Sequence, residues 1–315
     1  MLTRVTISNY RSFVQASADL SPFTLVIGAN GAGKTNFLRF FRDINLWESE
    51  RFKNLPEGEH PAKVGKLMPH LNHLDEETTF AIEADGLKTP LSGHHYRVPF
   101  PGRFVPIYRI DPSKVSVSEK VGTSEPIRSD GSGVIAMLDT LKTGAREDLF
   151  DRIESDLIEF IPDVEKLSLA PAGEGMKTIQ ISHTGVRTPI PGKFLSDGTR
   201  TLLALLTIVH QPSPPPLLLI EDMDHSIHPR LFEDFVGAFR RVAEERKVQI
   251  IATSHNPYLL DCFQEDPDSV LLIAKENGAS TIRSLGPELQ KLREKGGASL
   301  ALSKLYLSGF LSDGQ

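Results

Sequence analysis

Lys34 and Thr35 close a run in which glycine recurs, Gly28-Ala29-Asn30-Gly31-Ala32-Gly33. A primary amine and a hydroxyl in that setting suit an anion. Glycines let the chain curl with its N–H groups turned inward, and a helix beginning near Lys34 adds the partial positive charge of its N-terminus. The implied chemistry is phosphate binding, with the Lys34 ammonium on β- and γ-phosphate oxygens and the Thr35 hydroxyl on Mg²⁺. Asn30 and Asn36, within and just after the run, join the same candidate set. The plainer alternative is a glycine turn ahead of an amphipathic helix. The full spacing G-x-x-x-x-G-K-T, between the apolar run Phe23–Ile27 and the stretch Asn36–Phe41, favours the phosphate reading.

Other stretches carry groups that such a site needs. Leu217-Leu218-Leu219-Ile220, released by the proline-rich run at 212–216, reads as a buried strand ending in Glu221 and Asp222. Carboxylates at the C-terminal end of such a strand are where an α/β nucleotide fold places a Mg²⁺ ligand and a water-activating base. Val248–Ala252 reads as a further strand leading to Thr253-Ser254-His255. A histidine there is either a satisfied structural residue or part of the ligand edge of the sheet. Phe194-Leu195-Ser196-Asp197-Gly198-Thr199-Arg200 opens a strongly apolar helix; taken alone, it is an N-cap with exposed backbone donors. Arg11, in a turn between the first two strands, is a solvated residue or a nucleotide contact.

The elements that must position these groups can be read from periodicity. Strands are expected at Thr3–Ser8, Val14–Asp19 and Phe23–Ile27, then a helix after the glycine run. From about residue 48 to 112, prolines, glycines and strand-like pieces at Thr78–Ala84 and Arg103–Ile110 predict a β-rich insertion. His70, His73, His94 and His95 lie in it without cysteine or knuckle spacing, so loop histidines are favoured over a metal site. Helices over Val134–Leu141 and Glu147–Phe160 form a helical subdomain, at 129–165, and strands come next at Leu167–Leu169 and Thr178–Ser182. A helix from Arg230 to Arg246 with Pro229 at its first position, strands at Ser269–Ala274 and Thr281–Leu285, and a helix near Pro287–Lys295 end the pattern.

The chain has 315 residues, 39% of them hydrophobic and 24% charged, enough for one large domain with an insertion. Its formal charge of -6 gives no global basic field for nucleic acid. Cys262 is the one cysteine, so no disulfide forms within the chain and a reducing cytoplasm fits. Met1–Ile7 alternates like a strand, unlike a signal segment, and no apolar run spans a bilayer; a cytoplasmic chain without membrane contact is expected.

Taken in order, the phosphate loop, Leu195-Ser196-Asp197-Gly198, the strand ending Glu221-Asp222, the turn Asp224-His225-Ser226-Ile227-His228-Pro229 and Thr253-Ser254-His255 resemble the ABC-type ATPases of the RecF/SMC/OLD-like class. The resemblance implies an α/β fold: a P-loop NTPase head of ABC type over residues 1–315, with a mixed central sheet, an N-terminal antiparallel β subdomain and a helical subdomain. It implies ATP and Mg²⁺ as cofactors, two ATP molecules being sandwiched between two heads. Gly28, Gly31, Gly33, Lys34 and Thr35 then hold phosphates and Mg²⁺. Ser196 and Gly198 match the signature that contacts ATP on the other protomer, and Asp224 lies in the loop that crosses the interface. His255 matches the switch histidine that reads the γ-phosphate. Arg11 and Ser12 match an Arg-Ser-Phe turn of such heads.

Two departures carry consequences. The family's strand ends Asp then Glu, whereas this chain has Glu221 then Asp222, so by position Glu221 is the metal ligand and Asp222 the base. An Asp base reaches less far, and a displacement of about 1 Å costs on the order of 10²-fold, so slow hydrolysis is expected. No glutamine occurs between Gln15 and Gln180 to fill the usual glutamine-loop position. No long heptad arm separates the phosphate loop from the signature, and with few residues after Leu285 no C-terminal nuclease domain is expected. The expected function is an ATP-driven homodimeric switch acting on DNA or on a separate effector such as a nuclease, in bacterial DNA repair or anti-phage defence. Its rivals are a non-catalytic nucleotide-binding scaffold and a transport ATPase subunit.

Overall fold

The computed structural model describes residues 1–49, 78–84, 105–122, 125–294 and 300–311. In chain order, β1 (Leu2–Tyr10), β2 (Phe13–Asp19) and β3 (Phe23–Ile27) lead into α1 (Lys34–Ser49), followed by β4 (Thr79–Ala84) and β5 (Ile107–Tyr108). Then come α2 (Pro112–Val115), β6 (Glu119–Lys120), α3 (Val134–Thr143), α4 (Glu147–Phe160), β7 (Val164–Pro171), β8 (Met176–His183), β9 (Ile190–Pro191) and α5 (Asp197–His210). After these lie β10 (Leu217–Ile220), α6 (Phe232–Arg246), β11 (Gln249–Ser254), β12 (Val270–Glu276), β13 (Ala279–Ser284), α7 (Leu285–Glu294) and α8 (Leu302–Leu307).

The chain divides into two units, the first made of Met1–Ile107, Pro215–Met223 and Ala243–Gln315 and the second of Tyr108–Pro214 and Asp224–Val242. The first unit holds an antiparallel sheet in the order β2-β1-β4 and a six-stranded sheet in the order β13-β12-β3-β11-β10-β5. Within the latter, β12, β3, β11 and β10 run parallel and β13 is antiparallel to β12. Parallel strands covered on both faces must be apolar at successive positions, and every residue of β3, β10 and β11 is buried. Phe37, Phe40, Phe41 and Ile44 of α1 join Tyr10, Val26, Leu219 and Ile251 in one core. Ring edges meet ring faces there, Tyr10 with Phe40 at 5.3 Å and Phe37 with Phe41 at 5.2 Å. The buried Gln249 amide is satisfied by main chain: its Oε1 accepts from Leu2 N at 2.8 Å, and its Nε2 donates to Leu2 O and Ser21 O.

The second unit is centred on α5, whose residues from Thr201 to His210 are all buried. Helices α2, α3 and α4 pack on it, and α4 offers Leu149, Phe150, Ile153, Leu157 and Phe160 as its inward stripe. A sheet in the order β6-β8-β7, with β9 also on β8, completes the unit. The buried imidazole of His210 lies 2.7 Å from the Asp156 carboxylate, which satisfies it.

The expected fold class therefore holds, with local differences. Of the strand expected over Arg103–Ile110, the described residues form strand only at Ile107–Tyr108. The amides of Arg109 and Asp111 donate instead to Ser129 O and Asp130 O, and Asp111 caps α2. The helix expected from Arg230 opens as a 3₁₀ turn, Pro229–Leu231, with His228 Nδ1 accepting from Arg230 N, before α6 begins at Phe232. Most of the 48–112 insertion, with His70, His73, His94 and His95, lies outside the described residues.

Candidate functional site

The first unit brings Gly28–Asn36, Glu221, Asp222 and His255 to one edge of its parallel sheet. The register accounts for this. Ile220 pairs with Ala252 and Ser254 with Ile27, so β10, β11 and β3 end side by side, and the residues just beyond each strand share that edge. A cavity of about 200 Å³ opens there, lined by Gly31, Gly33, Lys34, Thr35, Asn36, Asp222, Thr253 and His255.

Glycine is required in this loop for different reasons at different positions. A Cβ on Gly28 would lie 2.1 Å from the Ile273 carbonyl oxygen. At Gly33 it would lie 2.3 Å from Ser280 Oγ, and φ there is +121°. Ser280 Oγ in turn donates to Ala32 O, and Ser280 N donates to Ser12 O at 2.6 Å. Asn36 Nδ2 donates to Ser12 Oγ at 2.9 Å, so the β1–β2 turn and β13 brace the phosphate loop from behind. Asn30 is exposed at the front.

Lys34 is buried, and its ammonium donates to Gly28 O at 2.7 Å and Ala29 O at 3.0 Å. It also lies 3.0 Å from His255 Nδ1. An ammonium has only donors, so Nδ1 must accept, which assigns the imidazole proton to Nε2. Nε2 then faces Asp222 Oδ1 at 3.1 Å, a close polar contact. Lys34, His255 and Asp222 thus lie in a line of close polar contacts. Beside it, the Thr35 hydroxyl donates to Glu221 Oε1, so the two expected metal ligands point at a common place. Asp222 adopts a left-handed backbone at φ +52°.

Arg11 is oriented inward. Its guanidinium donates to Tyr10 Oη at 2.8 Å and to Asp43 Oδ2 at 3.0 Å, and Asp43 also receives Arg42. Burial, reinforced by the Asp43 charge, pushes the Tyr10 phenol well above its ordinary range.

Ser196, Gly198 and Asp224 belong to the second unit. Ser196 caps α5, its Oγ accepting from Thr199 N at 3.1 Å, and it is exposed together with Asp197. Arg200 fixes this start by donating to Ser116 Oγ at 2.9 Å and to the Asp197 carboxylate. A Cβ on Gly198 would lie 2.5 Å from Ser226 O, so α5 begins in close contact with the 224–228 turn, in which Ile227 N donates to Asp224 O. Sequence reasoning missed Ser280 and the Ile273 carbonyl, and it named Thr253 without a role. For Ser280 no local signal exists, because its partner Ala32 lies 248 positions away.

Solved structures share this fold. A crystal structure of an Smc head bound to the C-terminal winged-helix domain of ScpA matches at 13% identity with a TM-score of 0.57, covering 92% of this chain and 99% of that one. An Smc head domain with an extended coiled coil, bound to the C-terminal domain of ScpA derived from Pyrococcus furiosus, matches at 14% identity and 0.54, covering 94% and 99%. No curated protein matches the sequence significantly. Residues 1–83 match the family model of an AAA ATPase domain. Residues 60–261, more than half of the chain, match a second model, and the chain therefore belongs to the family it describes, "AAA domain, putative AbiEii toxin, Type IV TA system", built on the P-loop fold of an SMC-type head.

Proposed function

We propose that this chain is a slow cytoplasmic ATPase that closes head to head with a second copy when ATP and Mg²⁺ bind, and that reopening after hydrolysis acts on an effector protein or DNA. The observation that carries the reading is the convergence of Lys34, His255, Asp222 and Thr35 on one cavity at the ends of three parallel strands, with Glu221 bonded to Thr35. The donor set fits the nucleotide and its metal. Lys34 lines the cavity with the charge a phosphate needs, and Thr35 with Glu221 supplies two hard oxygen ligands. Among the described residues no cluster of three or more His, Cys, Asp or Glu could hold a metal alone, as suits Mg²⁺ completed by phosphate and water oxygens. Bound Mg²⁺ would neutralise charge building on the transferred phosphoryl group.

The chain's own groups divide the remaining work. Backbone N–H groups of residues 31–35 and the start of α1 bind the phosphates, and Lys34 adds a positive charge near the reacting end. Asp222 orients the attacking water and accepts its proton. His255, whose Nε2 lies 3.1 Å from Asp222 Oδ1, keeps that carboxylate in place by a close polar contact. Ser196 and Asp197 at the start of α5, exposed on the second unit, are available to a nucleotide held by the other copy. ScpA binding by SMC heads supports an effector protein as partner here, and the toxin system in the family's name supports a defence setting over repair. Among the described residues no helix is long and apolar enough to cross a membrane.

The test is the mass of the purified chain in solution, with and without ATP and Mg²⁺, alongside phosphate release, for the native chain and Asp222→Asn. The expected result is nucleotide-dependent dimerisation, trapped by Asp222→Asn while phosphate release is lost. A mass indifferent to nucleotide, with ATP bound but no phosphate released, would replace this reading with that of a scaffold.

A further inference from the structure

The inverted acidic pair leaves the reaction with a base one methylene shorter than the family's glutamate, so the backbone must supply the reach that the side chain lacks. The pairing of β10 with β11 ends at Ile220 and Ala252, and beyond it the chain leaves the strand path. There the next residue of β11 takes over. Thr253 Oγ1 accepts from Asp222 N at 3.0 Å, and Thr253 O accepts from Met223 N at 3.0 Å. Two successive amides are thus held by one residue, which is 1% exposed and lines the cavity. Between them Asp222 is fixed at φ +52°, a conformation L-residues seldom adopt unless their surroundings determine it. From that turned backbone the short carboxylate meets His255 Nε2 at 3.1 Å.

We infer that Thr253 is a positioning residue for hydrolysis, its hydroxyl and carbonyl setting the Asp222 backbone so that an aspartate serves where a glutamate would otherwise stand. Having accepted from Asp222 N, the Thr253 hydroxyl keeps its own proton to donate. The inference rests on the ATPase reading proposed above. It separates Thr253 from groups that bind nucleotide, because the threonine acts on the backbone of the base and not on the phosphates.

The test compares the native chain with Thr253→Val, which keeps the shape and removes the acceptor, and Thr253→Ser, which keeps the hydroxyl. Phosphate release is expected to fall roughly 10- to 100-fold in kcat for Thr253→Val with KM and nucleotide affinity unchanged, and to recover in Thr253→Ser to within about threefold of native. In parallel, hydrogen exchange at the Asp222 amide is followed without nucleotide: slow in the native chain and Thr253→Ser, fast in Thr253→Val. Native kcat in Thr253→Val, equal losses in both variants, or a rise in KM in place of a fall in kcat would each overturn the inference. So would an Asp222 amide equally protected in Thr253→Val. A native chain that releases no phosphate, yet loses Asp222 protection only in Thr253→Val, would strike down the ATPase reading while upholding Thr253 as the holder of that amide.

Discussion

On the proposed ATPase reading, the Lys34 ammonium that lines the cavity binds the phosphates. Its charge-assisted bonds are each worth about 1.5–3 kcal/mol, so Lys34→Ala should weaken ATP binding by at least roughly 10-fold, measured by titration with a fluorescent analogue. Gly33→Ala should fail for a different reason. A methyl group 2.3 Å from Ser280 Oγ, on a residue at φ +121°, must displace the brace behind the loop. A stability loss of about 1–3 kcal/mol is expected in urea titration, and Ser280→Gly should restore part of it by making room. Tyr10 offers a prediction in pH. Burial raises its pKa in the folded chain above the ordinary 10.0, so folding retains a proton that the unfolded chain releases. Its contribution is complete below about pH 10 and is lost as pH rises beyond that, at about 1.4 kcal/mol per unit. Tyr10→Phe should lower the steepness of alkaline destabilisation by one proton.

At the scale of elements, the start of α5 and the 224–228 turn must move together, because Gly198 leaves only the space of a hydrogen beneath Ser226 O. Gly198→Ala is expected to abolish ATP-dependent dimerisation while leaving ATP binding within about twofold of native, as read by light scattering and titration. Intact dimerisation in that variant would separate the two segments. Much at this scale was legible in the sequence. The bounds of β3, β10 and α4 come from apolar runs or stripes punctuated by glycine, proline and acidic starts, and the structure places them as expected. The strand ends carrying Glu221, Asp222 and His255 and the helix start carrying Lys34 were readable because each motif lies next to the element that aims it. The α8 helix and the 3₁₀ segment Pro257–Phe263 were not, since each is short and carries no long periodic stripe. Nor were Ser280 behind Gly33 or the Ile273 carbonyl behind Gly28, whose roles come from sheet order and leave no local pattern.

Across the whole molecule, the groups expected to serve one nucleotide are divided. The phosphate loop, Glu221, Asp222 and His255 lie in one unit, and Ser196, Gly198 and Asp224 in the other. If each active site draws the first set from one copy and the second from its partner, two dead variants should complement each other. Lys34→Ala and Ser196→Ala are each expected to be inactive alone. Mixed in equal amounts they should regain roughly a quarter of native phosphate release, the share of intact sites in a statistical set of closed dimers. No recovery on mixing would mean that each copy completes its own site. The division also bears on ancestry. The chain crosses between the units four times, after Ile107, Pro214, Met223 and Val242, so neither unit is a contiguous stretch of coding sequence. A recombination event could not exchange one as a cassette, and the two units are therefore inherited and drift as a single block.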